Sequence, residues 1–193
     1  IIEQLKSQGV SIIEPIGTDA YEMALARTRR AKVIGIAADL TAKQRKQYGE
    51  NRTTAVIDEL SEEKQLKFIH LLLPNLKRLA VIHSADSKIF FEVNALKMAA
   101  EKNGIEIQDL TVPQESDLSL IAHHISERSQ ALFILKDSMV VNGVATLVKQ
   151  AEKLRIPLIS SDDGSVQNGA ALAVGVYERE IGQNAADLTA RIL

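Results

Sequence analysis

The segment ALFILKDSMVVNGVATLVKQAEKLRIPLIS, residues 131–160, decides the fold class. It begins with the apolar run Ala131–Leu135 and ends with a second run, Pro157–Ser160. Continuous apolar runs of this length are typical of strands that are buried on both faces. Between the two runs, apolar residues recur at helical spacing at Val140, Val144, Leu147, Ala151 and Leu154. This strand–helix–strand order predicts a parallel sheet that is covered by helices.

The same alternation extends over most of the chain and predicts an α/β fold. Helical spacing recurs over Ile89–Ala100 and Ile181–Ile192, and each stripe indicates one buried helix face. Ser61 is expected to cap a helix that ends at Leu73, before Pro74. The remaining strand-like runs are Val10–Ile16, Lys32–Ala37, Thr54–Ile57, Arg78–Ile82, Ile105–Val112 and Ala170–Val174.

The alternation is interrupted once, between Asp39 and Thr53. This stretch, DLTAKQRKQYGENRT, is polar and has no apolar stripe. It is therefore predicted to be a long loop or a linker, because long loops in compact domains are often functional or lie between domains. We place a boundary between two lobes near Asp58.

Composition and charge exclude several classes of protein. The chain has 193 residues and no Cys, which excludes disulfide scaffolds, thiolate metal sites and cysteine nucleophiles. Its formal net charge is -2, and only 4% of its residues are aromatic, so the chain is not expected to bind nucleic acid. No apolar run is long enough to cross a bilayer, and no signal peptide is recognisable at residues 1–9.

Basic residues are concentrated in one segment, from Arg27 to Arg52. Eight Lys and Arg residues stand there against Asp39 and Glu50, a net charge of +6. A solvated surface explains this pattern most simply. Two sharper alternatives are a docking surface for a partner protein and contact with an anionic membrane face.

Polar residues follow the predicted strands at the positions where ligands bind in open parallel sheets. Hydroxyls and carboxylates there can receive ammonium or hydroxyl groups, while helix N-termini can receive anions. The alternative is that these side chains cap helices. The loops are Ile16–Asp19, Ala38–Leu40, His83–Ser87, Lys136–Ser138 and Ser161–Ser165.

No constellation of catalytic or metal-binding residues stands out. His123 and His124 are adjacent and point apart on a helix, so they cannot share a metal. Each of the four histidines is expected to be solvated or half-buried, and His83, which directly follows a predicted strand, is the one nearest the candidate site. Asp162 and Asp163 form an acidic pair without the accompanying residues of a phosphate-receiver site.

Several spaced motifs resemble one protein family. They are SSDDGSVQNGA at residues 160–170, VGVYE at 174–178, LLPNLKR at 72–78 and KNGIE at 102–106. This pattern resembles the substrate-binding proteins of ABC transporters, the group that includes tryptophan- and tyrosine-type binding proteins. The resemblance covers most of the chain from Val10 onward.

The resemblance implies a type I periplasmic-binding-protein fold, with two Rossmann-like lobes that close on a ligand. Residues 1–58 would form a first lobe that is short by about one βα unit, residues 176–193 would return to it, and residues 59–175 would form the second lobe. No cofactor is implied. The ligand-binding residues carried over by position are Thr18 and Asp39 on the first lobe and Ser84, Asp86, Asp137, Ser138, Asp162 and Asp163 on the second.

The implied function is that of an extracytoplasmic solute receptor, periplasmic or membrane-anchored, which delivers a small polar or amino-acid-like ligand to an ABC permease. The scarcity of aromatic residues argues against an aromatic ligand. Two alternatives stay open. One is a ligand-sensing module of a membrane signalling system with the same fold, and the other is an α/β enzyme that uses Asp162 or Asp163 with His83.

Overall fold

The computed structural model describes residues 1–49 and 52–192, which divide into two compact units. The smaller unit comprises Ile1–Asp58 and Val176–Leu193, and the larger unit is the continuous segment Glu59–Gly175. The chain therefore passes from one unit to the other twice.

The smaller unit contains a three-stranded parallel sheet. Its strands are β1 (Ile12–Ile13), β2 (Lys32–Ile36) and β3 (Thr54–Val56), and β2 lies in the middle. The core around this sheet includes Ile13, Tyr21, Leu25 and Val33. The helices among the described residues of this unit are α1 (Ile2–Ser7), α2 (Thr18–Arg27), α3 (Ala42–Tyr48) and α10 (Glu178–Ile192).

The larger unit contains a five-stranded parallel sheet in the order β5-β4-β6-β7-β8. Its strands are β4 (Arg78–Ser84), β5 (Glu106–Val112), β6 (Ala131–Ile134), β7 (Leu158–Ser160) and β8 (Leu172–Ala173). A short 3-10 turn spans Glu115–Asp117. The helices are α4 (Glu62–Leu72), α5 (Ser87–Lys102), α6 (Leu118–Ala122), α7 (Ser138–Asn142), α8 (Val144–Leu154) and α9 (Gly164–Gln167).

Both faces of the larger sheet are buried, as the continuous apolar runs predict. Successive side chains of a strand point to opposite faces, so Leu79 and Val81 pack with α4 and α5, while Ala80 and Ile82 pack with α6, α7 and α8. The α5 stripe is buried at Ile89, Val93, Leu96 and Ala100. The predicted α/β fold with parallel sheets is thus confirmed.

One prediction of secondary structure was wrong. The stretch Asp39–Thr53 was expected to be a loop or linker, but it contains α3. The Thr41 hydroxyl accepts a hydrogen bond from the Gln44 backbone N–H, and the Gln44 side chain accepts one from the Thr41 N–H. This capping box begins the helix. Hydrophobic periodicity missed it because most of the described α3 side chains are exposed.

Two finer expectations also need correction. The stripe from Val140 to Leu154 belongs to two helices, since α7 ends at Asn142 and α8 begins at Val144, with Gly143 between them. Ser61 stands at the start of α4, but its side chain accepts no hydrogen bond from the helix. Both departures concern local hydrogen bonding, which the spacing of apolar residues does not report.

Two carboxylates lie close to the Lys88 ammonium group near the start of α5. Glu59 accepts a 2.9 Å hydrogen bond from Lys88, while Glu92 Oε1 lies 3.7 Å from the same ammonium nitrogen. Burial raises the pKa of Glu92 to about 7, and Glu59 and Glu62 add to the rise while Lys88 opposes it. Folded Glu92 therefore retains its proton at pH values where an ordinary carboxyl is ionised.

This pKa makes the stability of the larger unit depend on pH. In the unfolded chain Glu92 ionises near its ordinary value of 4.5, so folding becomes less favourable as the pH rises from there to about 7. The free energy of unfolding should therefore fall by about 1–2 kcal/mol over this range, with allowance for partial solvation, and Glu92→Gln should abolish this fall. Urea unfolding at pH 5 and pH 8 measures it. The exposed Glu63→Gln is the matched control, and an equal decline in E92Q and the parent would contradict the assignment.

Candidate functional site

The carboxyl edge of the larger sheet has a topological switch point between β4 and β6. From β4 the chain crosses to β5 on one side, and from β5 it returns to β6 on the other side of β4. The connections that leave the carboxyl ends of β4 and β6 therefore diverge, which opens a crevice of the kind where α/β proteins bind ligands. Strand order thus singles out the segments after Ser84 and Ile134.

A cavity of about 480 Å³ lies at this crevice. Four of the eight predicted site residues line it: Ser84, Asp86, Asp137 and Ser138. The other lining residues were not among the predicted site residues, although Ala85 and Lys136 lie in the predicted loops; Lys88 and Lys136 carry positive charge. Lys136 directly follows the β6 run and Lys88 lies in the first turn of α5, so their place in the sequence could have indicated them. Ala85, Ile89, Pro113 and Met139 complete the lining.

Asp137 joins the two segments that form the cavity. Its side chain is buried; Oδ2 accepts a 2.6 Å hydrogen bond from the Ser84 N–H, and Oδ1 accepts a 3.2 Å bond from the Met139 N–H. The first bond holds the end of β4, and the second caps α7. The capping alternative is therefore correct for Asp137, and its carboxylate fixes the distance between the two loops.

Asp86 and Ser138 are the exposed polar side chains of this group. The Asp86 carboxylate accepts a 2.8 Å bond from the Lys88 N–H and caps α5. The Asp86 N–H in turn donates to the Ser84 hydroxyl at 3.3 Å. Asp86 thus holds a helix start and also presents a carboxylate to solvent at the cavity.

Asp162 and Asp163 follow the next strand, β7, and do not line this cavity. Asp162 accepts hydrogen bonds from the Ser160 hydroxyl at 2.5 Å and from the Ser165 N–H and hydroxyl at 2.8 and 2.7 Å. Burial opposes its ionisation, but these bonds outweigh that effect and hold the pKa of Asp162 below its ordinary value. Asp163 is exposed, so the pair consists of one structural and one solvated carboxylate.

Thr18 and Asp39 lie together in the smaller unit. The Thr18 hydroxyl accepts a 3.2 Å bond from the Asp39 N–H. The Asp39 carboxylate accepts from the Leu40 N–H at 2.7 Å and pairs with Arg45 at 2.5 Å. These contacts join the loop after β2 to the start of α2.

His83 is buried, which corrects the expectation that each histidine is solvated or half-buried. It also lies within β4 and not after it, because the strand continues to Ser84. Its Nε2 lies 2.6 Å from Asp109 Oδ1, and its Nδ1 lies 2.6 Å from the Ser84 carbonyl oxygen. Burial opposes the ionisation of Asp109, but hydrogen bonds from Lys97 and His83 outweigh it and lower the pKa of Asp109. His83 therefore contacts Asp109 and not the acidic pair with which the enzyme alternative combines it.

The described part of the chain shows no cluster of three or more His, Asp or Glu side chains that could hold a metal ion. Over the same residues, no helix has the length and apolar character needed to cross a membrane.

Comparison with known proteins identifies relatives along the whole chain. A family model described as ABC transporter substrate binding protein matches residues 1–193. The uncharacterized protein RP367 of Rickettsia prowazekii is 32% identical over 194 residues, which cover 100% of this chain and 61% of that protein. The tyrosine-binding protein of Clostridioides difficile is 26% identical over 202 residues, which cover 100% of this chain and 57% of that protein. The chain thus spans about three fifths of the length of these curated relatives.

The fold of this chain is also similar to that of solved structures. The ligand-free, open structure of CD0873, a substrate binding protein with adhesive properties from Clostridium difficile, matches with a TM-score of 0.82 at 19% identity. The match covers 99% of this chain and 66% of that one.

Proposed function

We propose that this chain, which belongs to the family of ABC transporter substrate binding proteins, supplies an ABC importer with a small solute of amino-acid type. The family supports the general role of solute binding. The proposal of an amino-acid-like solute also draws on the curated relative that is named a tyrosine-binding protein.

The observation that carries the proposal is the cavity at the switch point of the larger sheet. Its volume of about 480 Å³ falls within the range of small-molecule sites. Residues from two diverging connections line it, and the buried Asp137 carboxylate holds these connections together. A ligand that enters the cavity meets polar groups that the fold has already positioned.

The charges at the cavity suit a zwitterion. Lys136 offers positive charge for a carboxylate, Lys88 adds to it although its ammonium also pairs with Glu59, and Asp86 offers a carboxylate for an ammonium group. Ser84 and Ser138 add hydroxyls that can donate or accept hydrogen bonds. Among the described residues that line the cavity none is aromatic, so we expect a small polar side chain on the solute to be preferred over an aromatic one.

We also propose that the protein binds its solute without chemical change. This is supported by the contacts of His83 with Asp109 and the Ser84 carbonyl, since the enzyme alternative needs His83 to act with Asp162 or Asp163. Asp162 is likewise occupied by Ser160 and Ser165.

The partners and the compartment follow from the family as proposals. We propose an ABC permease as the receiving partner and an extracytoplasmic location. Thr18, Asp39, Asp162 and Asp163 stay predicted ligand contacts, in addition to the four residues that line the cavity.

A thermal-shift screen of the twenty L-amino acids tests the function. A solute at 100 times its dissociation constant stabilises the bound state by about 2.7 kcal/mol, enough to raise the melting temperature by about 5 °C or more. The D-enantiomers serve as controls, and chromatography of the recovered solute tests for turnover. Stabilisation by sugars alone would contradict the amino-acid proposal, and stabilisation by none of these solutes would contradict the function.

A further inference from the structure

One part of the basic segment, residues 27–32 together with Arg52, lies at the edge of the smaller sheet opposite the loops that follow its strands. Residues 28–31 join the end of α2 to the start of β2, and Arg52 precedes β3. Because the strands are parallel, these residues lie at the amino edge of the sheet, whereas Thr18 and Asp39 lie at its carboxyl edge. The solute site proposed above does not account for this cluster.

Two neighbouring cavities open among these basic side chains. One, of about 320 Å³, is lined by Arg29, Arg30, Lys32 and Arg52 together with Thr54 and Ile192. The other, of about 720 Å³, shares Arg29 and Arg30 and is also lined by Arg27 and Thr28. No acidic side chain among the described residues lines either cavity.

The fold uses some of these cations and leaves others unpaired. Lys32 donates a 2.5 Å hydrogen bond to the Ile192 carbonyl, and Arg52 donates to the Thr28 carbonyl. Within the described residues, Arg29 and Arg30 have no ion-pair partner. Both side chains are exposed and line the same two cavities, so an anion bound there would be attracted by two positive charges.

A buried hydroxyl lies beside the unpaired cations. Thr28 is 2% exposed, and its Oγ1 has no hydrogen-bond partner among the described residues. Buried polar atoms in folded proteins are normally hydrogen-bonded, so an unpartnered one needs an explanation. An oxyanion in the cavity that Thr28 lines would supply the missing acceptor.

From these observations we infer that the amino edge of the smaller sheet holds a site for a phosphate-bearing anion, bound by Arg29 and Arg30 with the Thr28 hydroxyl. The planar guanidinium group donates paired hydrogen bonds that match the oxygens of a phosphate. Lys32 and Arg52 line the neighbouring cavity of about 320 Å³ and add to the positive potential there. The inference does not rest on the proposed solute function, since it concerns residues at the amino edge of the smaller sheet that are not among the proposed solute contacts.

Calorimetric titration with inorganic pyrophosphate tests the site. The parent protein should bind with saturation, and the double variant Arg29→Gln/Arg30→Gln should bind at least 10-fold more weakly. Lys43→Gln/Lys46→Gln is the matched control, because it removes the same charge from exposed positions of α3 that line neither cavity. The control should change the affinity less than 2-fold. Thr28→Val, which keeps the shape of the side chain, should weaken binding several-fold.

A second arm distinguishes the source of the phosphate group. Vesicles of phosphatidylglycerol and phosphatidylcholine are sedimented with the parent and both double variants. Sedimentation that R29Q/R30Q loses and K43Q/K46Q keeps would support the site and identify a lipid headgroup as the source. Saturable pyrophosphate binding without sedimentation would support a soluble anion. Equal losses in both double variants, or binding to neither probe, would overturn the inference.

Discussion

Replacing Asp137 by alanine is expected to weaken solute binding about 30- to 100-fold. The variant leaves the buried Ser84 N–H and the partly buried Met139 N–H without their acceptor. An unsatisfied buried donor costs about 1–3 kcal/mol, and a lost helix cap costs about 1 kcal/mol. Because the same carboxylate holds the two sides of the cavity together, a loss of about 2–3 kcal/mol should appear in the binding free energy as well as in stability. Calorimetric titration with the best amino acid from the thermal-shift screen measures it.

A matched control separates the loss of the cavity from a general loss of stability. Gln130 Oε1 accepts hydrogen bonds from the Lys77 and Arg78 N–H groups at 2.6 and 3.1 Å. It therefore bridges two backbone donors as Asp137 does, but at the amino edge of the same sheet, where Arg78 begins β4. Gln130→Ala should lower stability and leave affinity within about 2-fold, since it does not touch the cavity. If D137A bound as tightly as the parent, the cavity would not be the solute site.

The elements with buried faces were predictable because burial imposes a period on the sequence. The runs at Arg78–Ile82 and Ala131–Leu135 became the central strands β4 and β6, and the stripes of α5 and α8 face the core. The helix α3 was not predictable in this way, since its exposed surface imposes no apolar period. Its one local signal, the Thr41–Gln44 capping box, was available in the sequence.

The candidate site was predictable residue by residue but not as a group. Residues that follow strands could be named from the sequence, yet their grouping depends on the strand order, which places β6 beside β4. Asp162 follows β7, which pairs with β6 on the side away from β4, and Asp162 does not line the cavity. The contact between His83 and Asp109 depends on how β4 and β5 pair. Their register places His83 opposite Thr111, and Asp109 lies two residues before Thr111 on β5, within reach of the His83 side chain.

Gly175 shows that an exposed residue can be as constrained as a core residue. It ends the larger unit, and a Cβ at this position would lie 2.2 Å from the Ser161 carbonyl oxygen and 3.1 Å from the Ser161 carbonyl carbon. Both atoms belong to the backbone that leaves β7, which the Ser161 N–H ties to the Ile134 carbonyl at 3.0 Å. No side-chain rotation can relieve such a contact.

Gly175→Ala is therefore expected to cost about 3 kcal/mol, the upper end of the usual range for overpacking. The added methyl must move the end of β8 away from β7, which stretches the 2.7 Å hydrogen bond from the Val174 N–H to the Ser160 carbonyl. Urea unfolding followed by far-ultraviolet circular dichroism measures the loss in stability. Hydrogen exchange at Val174 should rise in the same variant because that amide loses its partner.

Gly143→Ala is the matched comparison. Its Cβ would lie even closer to a neighbour, 2.0 Å from Leu118 Cδ2, but the next atom of that side chain is 3.5 Å away. A change in the Leu118 rotamer relieves this contact at about 1 kcal/mol, the usual cost of a strained side-chain angle. The variant with the shorter contact should thus lose less stability, because the Leu118 side chain can rotate away, whereas the Ser161 carbonyl is held by the backbone hydrogen bond next to β7. Equal losses in the two variants would show that the backbone contact at Ser161 does not set the cost.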